Sequence, residues 1–242
     1  MAVGGNKYKI KILGGGNYVK TTKTKGNRSG GHPMLNNHGF DLWADSYDAA
    51  VRNADESYQY PFAGYTHLMN AIYGTIMNQA PTKVLDIGFG TAKLTSKLYD
   101  AGNHITGIDF SSEMIKIASS KMPHATLLHW DFSLGSPPEL RGETFDFIVS
   151  TYALHHLSDG AKASFITDLL DLLKPNGSIL IGDVCFNTRD ELLACQSSCG
   201  NDWDNDEFYF VFSELQARLQ FSCSLSFYAF SFCSGVIEIC KS

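Results

Sequence analysis

The segment Val84-Leu85-Asp86-Ile87-Gly88-Phe89-Gly90-Thr91-Ala92 constrains the fold more than any other stretch of the chain. An apolar strand pattern runs directly into two glycines and then into a helical pattern marked by Leu94 and Leu98. Glycine lets the backbone turn tightly and lets a ligand lie against it. In an open α/β sheet, a first strand of this kind ends beside the topological switch point, where ligands bind.

Strands and helices alternate on both sides of this loop. Strand patterns fall at Lys83–Ile87, His104–Ile108, Ala125–Trp130, Phe145–Ser150 and Ser178–Asp183. Between them, Ser111 is placed to cap one helix, and Ala161–Lys174 carries Phe165, Leu169 and Leu172 along one side of another. Pro175-Asn176-Gly177 predicts the end of that helix and a turn. Helices at Arg189–Ser198 and Ser213–Gln220 and strands at Ser224–Phe230 and Gly235–Ile239 complete the chain. Upstream, Asp41–Arg52 reads as a short helix with Trp43 and Tyr47 on one face. Pro61 predicts the start of a second helix, whose stripe is Tyr65, Leu68, Met69, Ile72 and Ile76. Such alternation means a mostly parallel sheet, here of seven strands, with helices on both faces and an N-terminal helical cap.

Two cofactor classes use a glycine loop of this kind. Dinucleotide folds need a small residue at the third position of G-x-G-x-x-G, and here that position is Lys93. The pattern D-x-G-x-G-x-G fits better, as Asp86, Gly88, Gly90 and Ala92, with alanine in the last glycine's place. That segment resembles the first motif of class I S-adenosylmethionine-dependent methyltransferases. Asp109 ends the second strand, 21 residues beyond Gly88, where a carboxylate can accept from both ribose hydroxyls. Asp131 and Phe132 follow the third strand. Phe145-Asp146-Phe147-Ile148-Val149-Ser150 with Ala153-Leu154-His155-His156-Leu157 resembles the fourth-strand motif of small-molecule methyltransferases. Leu173–Ser178 resembles the turn they place before strand five, and Asp41–Asp48 their cap helix.

From Gly39 to Ile239 the chain is similar to the YrrT-like methyltransferases of Gram-positive bacteria. The resemblance implies a Rossmann-like class I fold and S-adenosylmethionine as cofactor but no particular acceptor. A small-molecule acceptor is expected, the alternatives being a non-catalytic S-adenosylmethionine-binding module or an RNA or protein methyltransferase that uses the basic arm. It implies a cofactor site at Asp86, Gly88, Gly90, Asp109, Phe110, Asp131, Phe132, Ser150 and Tyr47.

A sulfonium methyl is already electrophilic, so such an enzyme mainly aligns an acceptor lone pair and excludes water. A base is needed only where the acceptor must lose a proton. His155 is the candidate base, with His156 beside it and Asp183 placed to orient a histidine. Cys185 follows strand five, but the Pro-Cys of RNA cytosine methyltransferases is absent after strand four, so it is not expected to act as a nucleophile.

Charge divides the chain unevenly. Residues 1–38 hold seven basic residues and no acid, leaving 12 basic residues against all 25 acids, a balance of −13. The acidic remainder repels phosphates, so nucleic acid is disfavoured as a partner. The glycine-rich basic arm, residues 1–38, is expected to be disordered, and residues 39–242 to form the methyltransferase domain, with a cap at 39–80 and a core at 81–242. No run reaches the roughly 18 apolar residues of a membrane span. With no export signal recognised, the six cysteines read as reduced thiols of a cytoplasmic protein. Cys195 and Cys199 lack the further ligands of a metal site, and no metal is expected. The sequence sets no oligomeric state. Deleting residues 1–38 is expected to leave the melting temperature of the protein within a degree or so of the full chain, because that arm carries little apolar area to bury. Melts of both chains check this; a drop of many degrees would contradict it.

Overall fold

The strands form where β-branched and aromatic residues run together, and their alternate side chains supply the cores on both faces of the sheet. In this computed structural model, which describes residues 44–241 and side chains from Asp48 onward, Val84, Phe147, Val149 and Leu180 point into one apolar cluster. Their neighbours Leu85, Ile87, Ile148, Ile179 and Ile181 point into the other.

The elements are α1 (Ala44–Glu56), α2 (Tyr65–Met77), β1 (Lys83–Ile87), α3 (Thr95–Asp100), β2 (His104–Asp109), α4 (Ser112–Lys121), β3 (Thr126–His129), β4 (Phe145–Thr151), α5 (Asp159–Asp171), β5 (Leu173–Phe186), α6 (Arg189–Cys199), β6 (Phe210–Val211), α7 (Phe212–Leu219), β7 (Cys223–Ala229) and β8 (Ser234–Lys241). The strand order is β3-β2-β1-β4-β5-β8-β7, with β6 paired to the end of β5. Strands β1 to β5 are mutually parallel. Strand β8 runs antiparallel to β5 and to β7. The chain leaves β1 for β2 and β3, then returns to β4 on the other side of β1. That reversal places a crevice at the carboxyl ends of β1 and β4.

Helices cover both faces. Leu68, Ile72 and Ile76 of α2, Leu98 of α3, Met114 of α4 and Leu192 of α6 join one cluster. Phe165, Ile166 and Leu169 of α5 and Leu215 and Leu219 of α7 join the other. The expected class I architecture is present, with one addition, the two-residue β6.

Several expected boundaries differ. Helix α2 begins at Tyr65 rather than Pro61, because Gly64 before it holds φ 78°, a left-handed conformation that breaks the helical run. Helix α5 begins at Asp159, where the Ser158 side chain accepts from the Ala161 amide. It ends at Asp171, so Pro175-Asn176-Gly177 is not a turn between helix and strand. Those residues lie inside the 14-residue β5, at a register shift opposite Phe145–Phe147. Strand β3 is shorter than expected at both ends. The expected basic arm and Trp43 lie outside the described residues.

At Gly177 the backbone of β5 comes close to that of β4. A Cβ there would sit 2.8 Å from the Asp146 carbonyl oxygen and 3.0 Å from that of Phe145. Both obstacles are backbone, so they cannot rotate away. Gly177→Ala is expected to destabilise the protein by about 1–3 kcal/mol, read as a lower denaturant midpoint at unchanged slope. Unchanged stability would contradict this strand spacing.

Candidate active site

The carboxyl ends of the central strands open on one cavity of about 380 Å³, a usual size for a small-molecule site. Its first half is built by β1, β2 and the loops after them. Asp86 lines it from within β1 and is 1% exposed. Thr95 Oγ1 donates to Asp86 Oδ2, whereas Oδ1 is buried with no partner among the described residues. Burial pushes the Asp86 carboxyl up to about 7; the Thr95 bond opposes the rise and the Asp109 charge adds to it.

The glycines after β1 serve different needs. Gly88 holds φ 67°, and a Cβ on it would lie 2.6 Å from Ala153 Cβ. The protein itself therefore excludes any side chain there. Gly90 holds φ 53°, but a Cβ on it would meet nothing within 4 Å. Its requirement is conformational, and the space beside it is open. Ala92, in the place of the motif's last glycine, is buried at φ 59°. An alanine in that conformation costs about 1 kcal/mol.

Asp109 ties this loop to β2. Its Oδ2 accepts from the Gly90 amide at 2.8 Å and its Oδ1 from the Ser111 amide at 2.9 Å. Burial raises its pKa against the pull of these two bonds. Each oxygen retains a second lone pair for a ligand. Phe110 and Phe132 line the same half. Asp131 does not: its Oδ1 accepts from the Ser133 amide at 2.9 Å and caps the short turn Phe132–Leu134. Ser150 is also outside the lining, its buried hydroxyl donating to the Ile87 carbonyl at 2.9 Å. Tyr47 falls within α1, and its side chain lies outside the described residues.

The second half begins where β4 ends. Tyr152 holds φ 50°, and such strain in a non-glycine residue collects at functional sites. The turn Leu154–His156 follows and brings both histidines to the cavity. His155 Nδ1 lies 2.6 Å from Asp183 Oδ1, at which the Val184 amide also donates. A carboxylate only accepts, so the proton sits on His155 Nδ1 and Nε2 is the basic position. Burial pulls the His155 pKa down, but the Asp183 charge and hydrogen bond and the Glu207 charge outweigh it, leaving it above the ordinary 6.5. His156 Nδ1 lies 2.9 Å from Glu207 Oε2, and the two imidazole centroids are 4.3 Å apart. From the cap, Phe62 and Tyr65 pack on the Tyr152 ring at 5.1 and 5.3 Å. Cys185 is buried outside the lining, where burial pushes its thiol pKa well up.

The loop after α6 was not foreseen as part of the site. Asp202, Asp204, Glu207 and Tyr209 all line the cavity. The Phe208 amide donates to the His155 carbonyl at 2.8 Å. The ammonium of Lys162, 1% exposed, donates to the Phe208 carbonyl and to Asp159 at 3.1 Å. The Tyr60 and Tyr209 hydroxyls share a hydrogen bond. The density of acids and aromatics in Asp202–Phe210 was the available signal, but nothing in its spacing pointed to His155. Ligand atoms of His155, His156 and Glu207 also lie within 4.8 Å of one another, a grouping compatible with a metal ion where none was expected. In this structure the two imidazoles are paired with carboxylates.

Strand order and site together are those of a Rossmann-like class I methyltransferase domain. Residues 84–177 match the methyltransferase domain family. An uncharacterized methyltransferase of Anoxybacillus flavithermus is 40% identical over 151 residues, 62% of this chain and 68% of that protein. The uncharacterized methyltransferase YrrT of Bacillus subtilis is 37% identical over 148 residues, covering 61% and 66%. The crystal structure of magnesium protoporphyrin IX methyltransferase from Synechocystis PCC 6803, with bound SAH, superposes with a TM-score of 0.61 at 16% identity, covering 84% of this chain and 97% of that one. The chain belongs to the family of these uncharacterized methyltransferases.

The orphaned Asp86 gives a pH signature. A carboxyl raised from its ordinary value to about 7 holds its proton in the folded state at pH values where the unfolded chain has released it. The protein without ligand should therefore lose stability as pH rises from about 4 to about 7. Asp86→Asn should remove that part of the loss, so the variant gains on the parent between pH 5 and pH 8. Denaturant titrations of both at the two pH values check this; a constant difference would contradict the assignment.

Proposed function

We propose that this chain transfers the methyl group of S-adenosylmethionine to a small-molecule acceptor, with the cofactor on the glycine loop and the acceptor beside His155. One observation carries this reading. A single cavity joins the Gly88–Gly90 loop and Asp109 to the His155–Asp183 pair. The residues present fit the cofactor. Asp86 offers a buried acceptor with no partner among the described residues, suited to a donor-bearing ligand. Asp109 is held by two amides in position to take ribose hydroxyls, and Phe110 and Phe132 supply apolar walls. Asp131 and Ser150 belong to the proposed set by their places after β3 and in β4 and Tyr47 by its place in α1; the Asp131 and Ser150 side chains do not line the cavity.

When bound, S-adenosylmethionine supplies an electrophilic methyl on a sulfonium. The protein orients the acceptor and excludes water with Tyr60, Phe62, Tyr65 and Tyr152, which form an aromatic wall. His155 Nε2 receives a proton from the acceptor, and Asp183 holds the ring in the required tautomer. Among the described residues no helix is long and apolar enough to cross a membrane, and all six cysteines are free. The free thiols suit the reducing cytoplasm, the proposed site of action.

S-adenosylhomocysteine, the demethylated product, should bind tightly. Asp109→Ala should weaken it by about 1.5–3 kcal/mol, losing a ribose contact and the anchor of the Gly90 amide. His155→Ala should leave that affinity nearly unchanged and lower turnover. Turnover of the parent should rise with pH through a pKa above 6.5, since the base must be neutral. Asp183→Asn removes the charge that raises it, so this limb should move to lower pH. Calorimetry and pH–rate profiles on the four proteins check these outcomes. Equal S-adenosylhomocysteine affinity for Asp109→Ala and the parent would overturn the cofactor site. A pH limb unmoved by Asp183→Asn would overturn the role of the dyad.

A further inference from the structure

The acceptor half of the cavity is negatively charged and aromatic, and no step described so far uses that charge. Asp202, Asp204 and Glu207 line it from one loop. The lysine among the lining residues is Lys93, whose ammonium is already 3.1 Å from Asp48 and 5.7 Å from the Tyr65 ring centre. Lys162 stands behind the loop with its ammonium on Asp159 and the Phe208 carbonyl. His155 and His156 are paired with Asp183 and Glu207, so among the described residues the lining carboxylates of this half without a basic partner are those of Asp202 and Asp204.

The surface beside these acids is built from rings. Tyr60 stacks on Trp203 with centroids 5.2 Å apart, and Tyr209 meets Trp203 edge-on at 4.9 Å. Aromatic faces beside carboxylates attract an organic cation and disfavour an anion of the same shape. Asp86 marks the cofactor half as built around a donor-bearing ligand, and in the acceptor half the Tyr152 hydroxyl, on a side chain 8% exposed that lines the cavity, is likewise buried with no partner among the described residues. Asp202 and Asp204 are exposed and come from a different element than the cofactor residues. Their charge therefore falls on the acceptor.

We infer that the acceptor is a small organic cation whose charge is held at the edge formed by Asp202, Asp204 and Glu207, while its nucleophilic atom lies against His155. This rests on the methyl-transfer reading and names the acceptor's class. Glu207 is fixed by His156 and by its loop's bond to His155, so it sets the depth to which the cation enters. Asp202 and Asp204 flank the entrance and select for charge.

The test uses the full chain saturated with S-adenosylhomocysteine and two probes of matched shape, tyramine and 4-hydroxyphenylacetate. They share a phenol ring and carry opposite charges. Titration calorimetry should show tyramine binding at least about tenfold more tightly. The double variant Asp202→Asn, Asp204→Asn should lose most of that preference and keep the parent's affinity for S-adenosylhomocysteine. Equal binding of the two probes, preference for the anion, binding of neither, or a preference unchanged in the double variant would each overturn the inference. A parent that fails to bind S-adenosylhomocysteine would overturn the cofactor reading instead, and this inference with it.

Discussion

The hydrogen bond from the Gly90 amide to Asp109 Oδ2, 2.8 Å long, holds the loop after β1 against the end of β2. The proposed cofactor half of the cavity is the space beside this bond. It depends on Gly88, whose missing Cβ lets Ala153 approach from the far side of the crevice. Gly88 thus couples the two halves: the residue that shapes the cofactor loop also sets how closely the start of the His155 turn can pack. Asp86 completes the arrangement by bringing a buried acceptor to the same point, at a cost in folding that a bound donor would offset.

The acceptor half depends on a second chain of contacts. Tyr152 turns out of β4 in a left-handed conformation, and the next residues place His155 over Asp183 at the end of β5. Lys162, buried in α5, holds the Phe208 carbonyl, and the Phe208 amide holds His155. A helix core residue therefore reaches the site through one loop residue. The cap closes the other side, with Tyr60 bonded to Tyr209 and Phe62 and Tyr65 against Tyr152.

Much of the sheet was legible because its parallel strands are largely apolar runs, and a marking residue lies at or near the carboxyl end of each: Gly88, Asp109, Asp131, His155, Asp183. The seven principal strands follow from that pattern, and their mostly parallel pairing from the alternation with helices. What was not legible depended on backbone detail or on distant contacts. Gly64 delays α2 through its own left-handed conformation, which Pro61 gives no hint of. Pro175-Asn176-Gly177 has the composition of a turn, yet the pairings of Leu173 and Ser178 with β4 on either side hold it in the strand as an irregularity, with Gly177 permitting the approach. Strand β6 is two residues long and exists only through its pairing with Cys185 and Phe186. Asp131 and Ser150 have the right residue types at strand ends, but their side chains are committed to a turn amide and to the Ile87 carbonyl. The acids of the 202–207 loop lie some fifty residues from His155 in the chain and meet it only in the fold.

The central claim is that one cavity holds S-adenosylmethionine at the glycine loop with its reactive end toward His155. A crystal structure with S-adenosylhomocysteine measures this directly. The account predicts the ribose at Asp109, the adenine between Phe110 and Phe132, and the thioether sulfur facing Tyr152 and His155. A nucleoside bound in the opposite direction, with adenine against His155, or bound outside this cavity, would contradict it.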